Sequence, residues 1–383
     1  MKGIRIRLLP NRQQEKLMWK SAGTARWTWN WGVAFQQKMY SEEKRTLTEY
    51  DLKKEFTKIR NDSEFSWLKE VSRHVSVNAL LDLGQSYKNF YRSLKQKNGR
   101  KVGLPRFKKA GSAEVSFCFN SDTVYDDGNG RLFLQKIGHV RYKSDQDLRG
   151  VRLWNTRVKF IGGKWLLCCA VEETSVEKPR LHEYSLGIDL GVKDLAVVSC
   201  NGRKRKFRNV NKTKRVSRLE KQLKHFQREL SRRKKILNEN NKKVDSQNRK
   251  KSRKKVKRIY GRLKNIRKDY IHKVTTAIVE MLPSKIVMED LNVQGMMKNH
   301  CLAKRIADQQ FYFFRTCIEY KAEERGIKVV IADRFYPSSK TCSCCGSIKK
   351  DLKLSDRVYK CSSCGLEIDR DFNAARNLER LAG

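Results

Sequence analysis

Residues 337–378 read PSSKTCSCCGSIKKDLKLSDRVYKCSSCGLEIDRDFNAARNL, and this stretch decides the fold. Cys342 and Cys345 form one C-x2-C pair; Cys361 and Cys364 form a second after 15 intervening residues. Paired knuckles at that spacing supply the four thiolates of one structural zinc ion, each pair wrapping an edge of the tetrahedron. Gly346 and Gly365 each follow a pair, where the turn favours a residue without a Cβ. Cys344, inside the first knuckle, reads as a bystander. Asp369 and Asp371 come straight after the second pair, where DRDFNAARNLERL opens a helix. The cassette therefore reads as a metal-stiffened insertion that positions a carboxylate. Asp371 is the expected ligand, and Asp369 the helix cap or an orienting neighbour. Arg370 between them is expected to neutralise the site or touch phosphate, its plain alternative being a surface salt bridge.

The 383 residues carry 86 Lys and Arg against 41 Asp and Glu, a net charge of +45. Self-repulsion of that size disfavours a compact state unless a polyanion neutralises it, so a nucleic-acid backbone is the expected partner. No apolar run of membrane length and no secretory signal are read, so no membrane partner is expected. Paired C-x2-C motifs favour a reducing compartment. The expected setting is intracellular, in the cytoplasm or nucleoid of a prokaryote.

Upstream, GIRIRLL (3–9) alternates as a strand, and helical periodicity runs from Asn11 to Lys97. Trp27, Trp29 and Trp31 fall on two helix faces, partly core and partly exposed. Period-two stretches EVSFCFN, GRLFLQKIG, VRLWNTRVKFIGG and KWLLCCAVEE follow between residues 114 and 173, and the first strand is expected to join them. YSLGIDLGVKDLAVVSCNG (184–202) reads as a β-hairpin carrying Asp189. Residues 203–268 hold 30 Lys and Arg against 4 Asp and Glu. Leu219, Leu223, Phe226, Leu230 and Leu237, then Val256, Tyr260, Leu263 and Ile266, recur there at helical spacing. Two long helices with NENNKKVDSQN (238–248) as their turn are expected. A helix and the strand KIVMED (285–290) carrying Glu289 come next, then one helix over 307–326 and the strand IKVVIADRF (327–335).

Asp189, Glu289 and Asp371 thus come from two strand ends and one helix start, the arrangement of an RNase H-like nuclease. Hydrolysis of a phosphodiester needs an activated water and a stabilised leaving alkoxide. Two Mg²⁺ ions supply both, and each demands oxygen ligands. Taken singly, Asp189 reads equally as a turn cap, Glu289 beside Asp290 as a surface pair and Asp369 as an N-cap.

Together GIDLGVKDLAVVS, IVMEDLNVQGM, FYPSSKTCSCCG and CSSCGLEIDRDFNAARNL resemble the TnpB family of transposon-encoded RNA-guided nucleases, related to type V CRISPR effectors and Fanzor proteins. RLLPNRQQEKL followed by Arg26 and Asn30, and LPRFKK (104–109), resemble its N-terminal half. The resemblance implies a bilobed α/β plus β-barrel protein. Residues 1–10 and 103–180 would form a β-barrel wedge domain, with a helical recognition domain at 11–102. A RuvC nuclease domain would span 181–336 with the basic hairpin 203–268, a zinc insertion 337–367 and a C-terminal helix 368–383. It further implies an Mg²⁺-dependent endonuclease, catalytic through Asp189, Glu289 and Asp371. That enzyme binds a transposon-end-derived guide RNA, recognises a short target-adjacent motif and cuts double-stranded DNA as a monomer on one RNA. Arg26, Asn30, Lys108, Lys109, Arg205, Lys214, Arg215 and Arg370 are the candidate nucleic-acid contacts.

Three other functions remain to be weighed. A strand-transfer transposase uses a similar acidic triad but needs specific end binding, usually a helix-turn-helix, and none is read here. An RNA-guided regulator without cleavage requires a lost carboxylate. A junction resolvase needs neither this basic load nor a zinc insertion.

Overall fold

The computed structural model describes residues 1–96, 101–111, 114–172, 178–239, 246–353 and 356–381. It divides into two compact units, Met1–Ser175 and Val176–Gly383.

In the first unit β1 (Lys2–Leu9) leads into α1 (Arg12–Glu43), α2 (Glu49–Asn61) and α3 (Arg73–Lys95). Six strands follow: β2 (Ser116–Cys118), β3 (Val124–Asp126), β4 (Arg131–Leu134), β5 (Gly138–Lys143), β6 (Trp154–Ile161) and β7 (Lys164–Val171). They form one seven-stranded sheet in the order β2-β6-β7-β1-β5-β4-β3. β1 lies between β7 and β5 and is antiparallel to both, with Leu8 opposite Trp165 and Tyr142. Its alternation buries Ile6 and Leu8 and exposes Arg5 and Arg7. Asn11 starts α1 with a capping box shared with Gln14. The helices close around Trp29, Val33, Leu52, Phe56, Leu80 and Leu83, with Trp27 and Trp31 packed at the margin of that core. The sheet is less closed than a barrel. Among the described residues its end strands β2 and β3 do not pair; a short 3-10 turn at Ser121–Thr123 lies between them in the chain.

In the second unit β8 (His182–Leu190), β9 (Asp194–Cys200) and β10 (Arg203–Arg208) form an antiparallel meander. Then come α4 (Lys214–Glu239), α5 (Gln247–Val279), β11 (Pro283–Glu289), α6 (Val293–Met297), α7 (His300–Gln309), α8 (Phe311–Arg325) and β12 (Lys328–Ala332). The chain closes with β13 (Val358–Lys360), β14 (Glu367–Asp369) and α9 (Arg370–Arg380). β11 joins β8 in parallel and β12 joins β11 in parallel, giving the order β10-β9-β8-β11-β12.

Three sequence expectations change here. Residues 203–208 are the strand β10 rather than the start of a helix; five of the six residues are basic, and only Phe207 carries an apolar signal to read. The second hairpin helix and the helix expected after it are one, α5, since no Gly or Pro interrupts DYIHKV between them. The single helix read over 307–326 is broken at Gln310, which adopts a left-handed conformation (φ 54°, ψ 45°) between α7 and α8. The Leu237 side chain and residues 240–245 of the expected turn lie outside the described residues; Asn238 and Glu239 belong to α4, and Gln247 and Asn248 to α5.

The second sheet is covered on two faces. Leu186, Ile188, Ile286 and Met288 pack against α5 and α8 through Val274, Ile278, Phe314 and Ile318. On the opposite face Val287 and Ala332 meet Leu378 of α9. Gly187 shares that face, and the helix backbone sits directly on it. A Cβ there would lie 2.0 Å from the Ala375 carbonyl oxygen and 2.4 Å from the Glu379 nitrogen. Neither atom can give way without moving the helix. Gly187→Ala should therefore destabilise the protein by about 3 kcal/mol or more, read as a lowered melting temperature; an unchanged melting curve would show that α9 does not pack this closely.

Candidate active site

Side chains alternate across a strand, so Asp189 and Glu289 point to the same face as Gly187 and Val287, the face that α9 covers. Ile188 is opposite Met288 in the parallel β8–β11 pair, which makes Asp189 and Glu289 neighbours at the carboxyl ends of adjacent strands. Asp371 lies in the first turn of α9 and arrives at the same place. Burial, then the charges of Glu289 and Asp371, hold the Asp189 carboxyl well above the usual carboxylate range. Glu289 is raised too, chiefly by burial, opposed by a hydrogen bond from Ser338 and by the Arg370 charge. Three carboxylates that repel one another in a half-buried pocket form a donor set suited to hard cations.

Asp369 also raises Asp189, less than Glu289 and Asp371 do, but its own carboxylate is engaged elsewhere. It caps α9, accepting from the Phe372 amide at 3.0 Å, and pairs with Lys206 at 3.0 Å and Lys204 at 3.3 Å on β10. Burial raises its pKa, but these lysines and the cap outweigh that and lower it. Asp369 and Asp371 thus occupy different environments two residues apart. Arg370 binds the carbonyl oxygens of Lys353 and Asp356 at 3.3 and 3.4 Å, and its charge acts on both Asp189 and Glu289.

The four predicted cysteines converge. Their sulfurs all lie within 4.8 Å of one another, with Cys342–Cys364 and Cys345–Cys361 at 3.6 Å. A tetrahedron with metal–sulfur bonds of about 2.3 Å has edges of about 3.8 Å, so this donor set fits one zinc ion. Gly346 and Gly365 adopt positive φ (77° and 72°) and close equivalent turns onto the carbonyls of Cys342 and Cys361. Cys344 is exposed and outside the cluster. Among the described residues no comparably tight group is formed by the three carboxylates.

What links the cassette to the site is a pair of residues the sequence reading passed over. Asn373 accepts from the Ser343 amide at 2.9 Å and donates to the Thr341 carbonyl at 2.7 Å. Asn377, one turn later, donates to the carbonyls of Ser338 and Thr341, both at 2.7 Å. Both asparagines are buried, so the first knuckle is stitched to the helix bearing Asp371. Ser338, also missed, is buried and donates to Glu289 Oε1. The available signal was two amides four residues apart on the apolar face of FNAARNL.

The candidate nucleic-acid contacts separate. Asn30 clamps the backbone of Lys108, accepting from its amide at 2.7 Å and donating to its carbonyl at 3.1 Å; the Lys108 ammonium lies 3.4 Å from the centre of the Trp29 ring. Both are engaged within the first unit, holding residues 104–109 on α1, so neither is presented as a free phosphate contact. Arg26 is half-exposed and Lys109 exposed. Arg205 stands on exposed β10 over the Phe207 ring. Lys214 and Arg215 line a groove of about 780 Å³ between α4 and α5, together with Arg218, Gln222, Arg262 and Asn265. Among the described residues no helix is long and apolar enough to cross a membrane.

Three family models match this chain. One is described as "Helix-turn-helix domain" (residues 1–45), one as "Probable transposase" (167–300) and one as "Cas12f1-like, TNB domain" (311–378). Over the first of these spans the structure has β1 and the single helix α1, and the next helix begins only at Glu49. InsQ of Escherichia coli (strain K12), whose name describes an RNA-guided DNA endonuclease, is 30% identical over 99% of this chain and 91% of its own length. A similarly named protein of Streptomyces pristinaespiralis is 28% identical over 98% of this chain and 88% of its own. TnpB-like protein L79 of Acanthamoeba polyphaga mimivirus is 33% identical over 33% of this chain and 25% of its own. The class is that of transposon-encoded proteins, here with a four-cysteine cluster near the C-terminus. Within it, the chain belongs to the TnpB family.

Proposed function

We propose that this protein is an RNA-guided DNA endonuclease. It binds a guide RNA derived from the transposon end, recognises a short motif beside the target and opens the duplex for pairing. It then cuts both DNA strands at one RuvC-type, RNase H-like site. The observation that carries this reading is the meeting of Asp189, Glu289 and Asp371 on one sheet face in a chain of net charge +45. The order β10-β9-β8-β11-β12, with acidic residues at two adjacent parallel strand ends, supports the RNase H-like assignment. The wedge role for residues 1–10 and 103–180 and the recognition role for 11–102 belong to the same proposal, as does action by a monomer on one RNA.

Two Mg²⁺ ions held by the three carboxylates would supply an activated water and stabilise the leaving alkoxide. The chain's own part is positioning. Asp189 and Glu289 present oxygens from rigid strand ends, and Asp371 closes the group from a helix fixed by Asn373 and Asn377. Ser338 binds one Glu289 oxygen and so orients the other. Arg370 offsets the negative charge. Pairing with the guide supplies the sequence code, so the protein must supply phosphate contacts and a channel.

The groove between α4 and α5 is the proposed RNA contact on the second unit. Replacing Lys214, Arg215, Arg218 and Arg262 by Gln should weaken RNA binding and make the log–log salt dependence shallower by about 3. An unchanged slope would place the RNA elsewhere. The reading as a whole is tested by sequencing RNA that copurifies with the protein and then challenging the complex with a library randomised beside the target, with Mg²⁺ and with EDTA. A discrete transposon-end RNA and Mg²⁺-dependent guided cuts are expected. An RNA-free protein that binds and joins DNA ends would sink it in favour of a transposase.

A further inference from the structure

The two most exposed large hydrophobic side chains among the described residues are on segments tied to Asp290, the residue after Glu289: Phe335 is 86% exposed and Tyr312 80%. Neither is on a loose segment. Phe335 lies in the turn after β12, where its amide donates to Asp333 Oδ1 at 2.8 Å and the Tyr336 amide to the Asp333 carbonyl at 3.1 Å. On one side of it Arg334 donates to Asp290, the residue after Glu289, with Nε at 3.0 Å. On the other, Tyr336 packs against Val287, Ala332 and Leu378, and Ser338 reaches Glu289. Tyr312 is in the first turn of α8. Arg315, three residues on and therefore on the same helix face, meets Asp290 at 3.5 Å. Asp290 thus ties both ring-bearing segments to the carboxyl end of β11 and spends the nearby guanidinium charges of Arg334 and Arg315 in doing so.

A ring fixed in water forgoes the burial that ordinarily stabilises a large aromatic side chain. Two such rings on segments held at the carboxyl end of β11 call for a flat, apolar-faced occupant, and in a chain of net charge +45 that occupant is a nucleobase. We propose that Phe335 and Tyr312 are stacking platforms for bases of the single-stranded DNA flanking the phosphate to be cut. This rests on the endonuclease reading above and deepens it. Every base has a π-face, so stacking on an aromatic ring tolerates sequence. That is what a nuclease needs when the guide, and not the site, chooses the sequence. Stacking also requires an unpaired base, so the rim admits strands only after the duplex has opened. The rings touch bases and not the reacting atoms; they are binding residues.

The test uses the full protein with its copurified RNA, without divalent ions, and a single-stranded DNA probe containing a fluorescent adenine analogue. Wild type should quench the probe by stacking. Phe335→Ala should lose most of the quenching and bind the probe roughly tenfold more weakly, whereas Phe335→Trp should keep both; Tyr312→Ala should show a smaller loss. RNA affinity and melting temperature should be unchanged in all three, and in Mg²⁺ the KM for single-stranded DNA should rise with little change in kcat. Wild-type quenching and affinity in Phe335→Ala, or a Phe335→Trp protein as defective as Phe335→Ala, would overturn the inference while guided cutting by wild type persisted. Absence of guided cutting in wild type would instead remove the reading on which it rests.

Discussion

Asp189→Ala protein is expected to bind its RNA and its DNA target as wild type does and to cut neither strand, with cleavage lowered at least about 10³-fold. The reason lies in where the carboxylate sits. Asp189 is half-buried between Glu289 and Asp371, and its ionised form is opposed by burial and by both neighbours. A residue kept there for stability alone would be a poor choice, since its removal relieves repulsion. The same substitution should therefore leave the melting temperature of the metal-free protein unchanged or raise it. Glu289→Ala should match it in activity. Binding assays at low Mg²⁺ and cleavage of a supercoiled target measure the two halves separately. Parallel loss of binding and cleavage would mark Asp189 as structural.

Cys361→Ser is expected to have the second largest effect, because it acts on metal content, local structure and activity together. Cys361 is buried in the four-sulfur cluster and its backbone carbonyl closes the second knuckle. A cassette of this size holds its shape largely through the metal, whose binding supplies about 10 kcal/mol or more in isolated zinc modules. Elemental analysis should fall from one zinc per chain to none. The β13–β14 hairpin, which ends on Asp369, should lose protection from hydrogen exchange. Cleavage should drop by about 10² or more as Asn373 and Asn377 lose the Ser338, Thr341 and Ser343 backbone that holds α9 in place. Cys344→Ser, outside the cluster, is the control and should keep both metal and activity. Zinc retained in Cys361→Ser would refute the ligand assignment.

The cysteine cluster could be read before the fold was known because its chemistry dictates both residue type and spacing. Thiol pairs separated by two residues and followed by glycine report a knuckle, and the glycines do take positive φ. Carboxylates at the ends of apolar strands mark candidates, and the parallel register of β8 and β11 makes Asp189 and Glu289 neighbours. Boundaries inside charged or amphipathic runs were less legible. In Arg203–Arg208 every position but one is basic, so no periodicity separates strand from helix. In α5 a continuous apolar stripe hides the passage from the basic hairpin to the sheet-covering segment. Asn30 and Lys108 illustrate a different limit: an exposed-looking Asn and Lys read as nucleic-acid contacts, whereas backbone geometry 78 residues apart in sequence turns them into an internal clamp.

The amino-acid order alone determined which side chains have the chemistry of this protein. It supplied four thiols spaced to suit one ion, three carboxylates at element ends, and a net charge of +45 that favours a polyanionic partner. These follow from composition and local spacing, which are properties of the chain before it folds. Tertiary structure alone decided that Lys204 and Lys206 of β10 pair with Asp369, that Ser338 binds Glu289 while Asn373 and Asn377 bind the first knuckle, and that Phe335 and Tyr312 stand in solvent on segments tied to Asp290. Those outcomes depend on the register of β8 against β11 and on α9 lying against Gly187. Contacts between residues far apart in sequence arise only when sheet and helix pack; a local pattern such as the two amides of FNAARNL marks the side chains but not their partners.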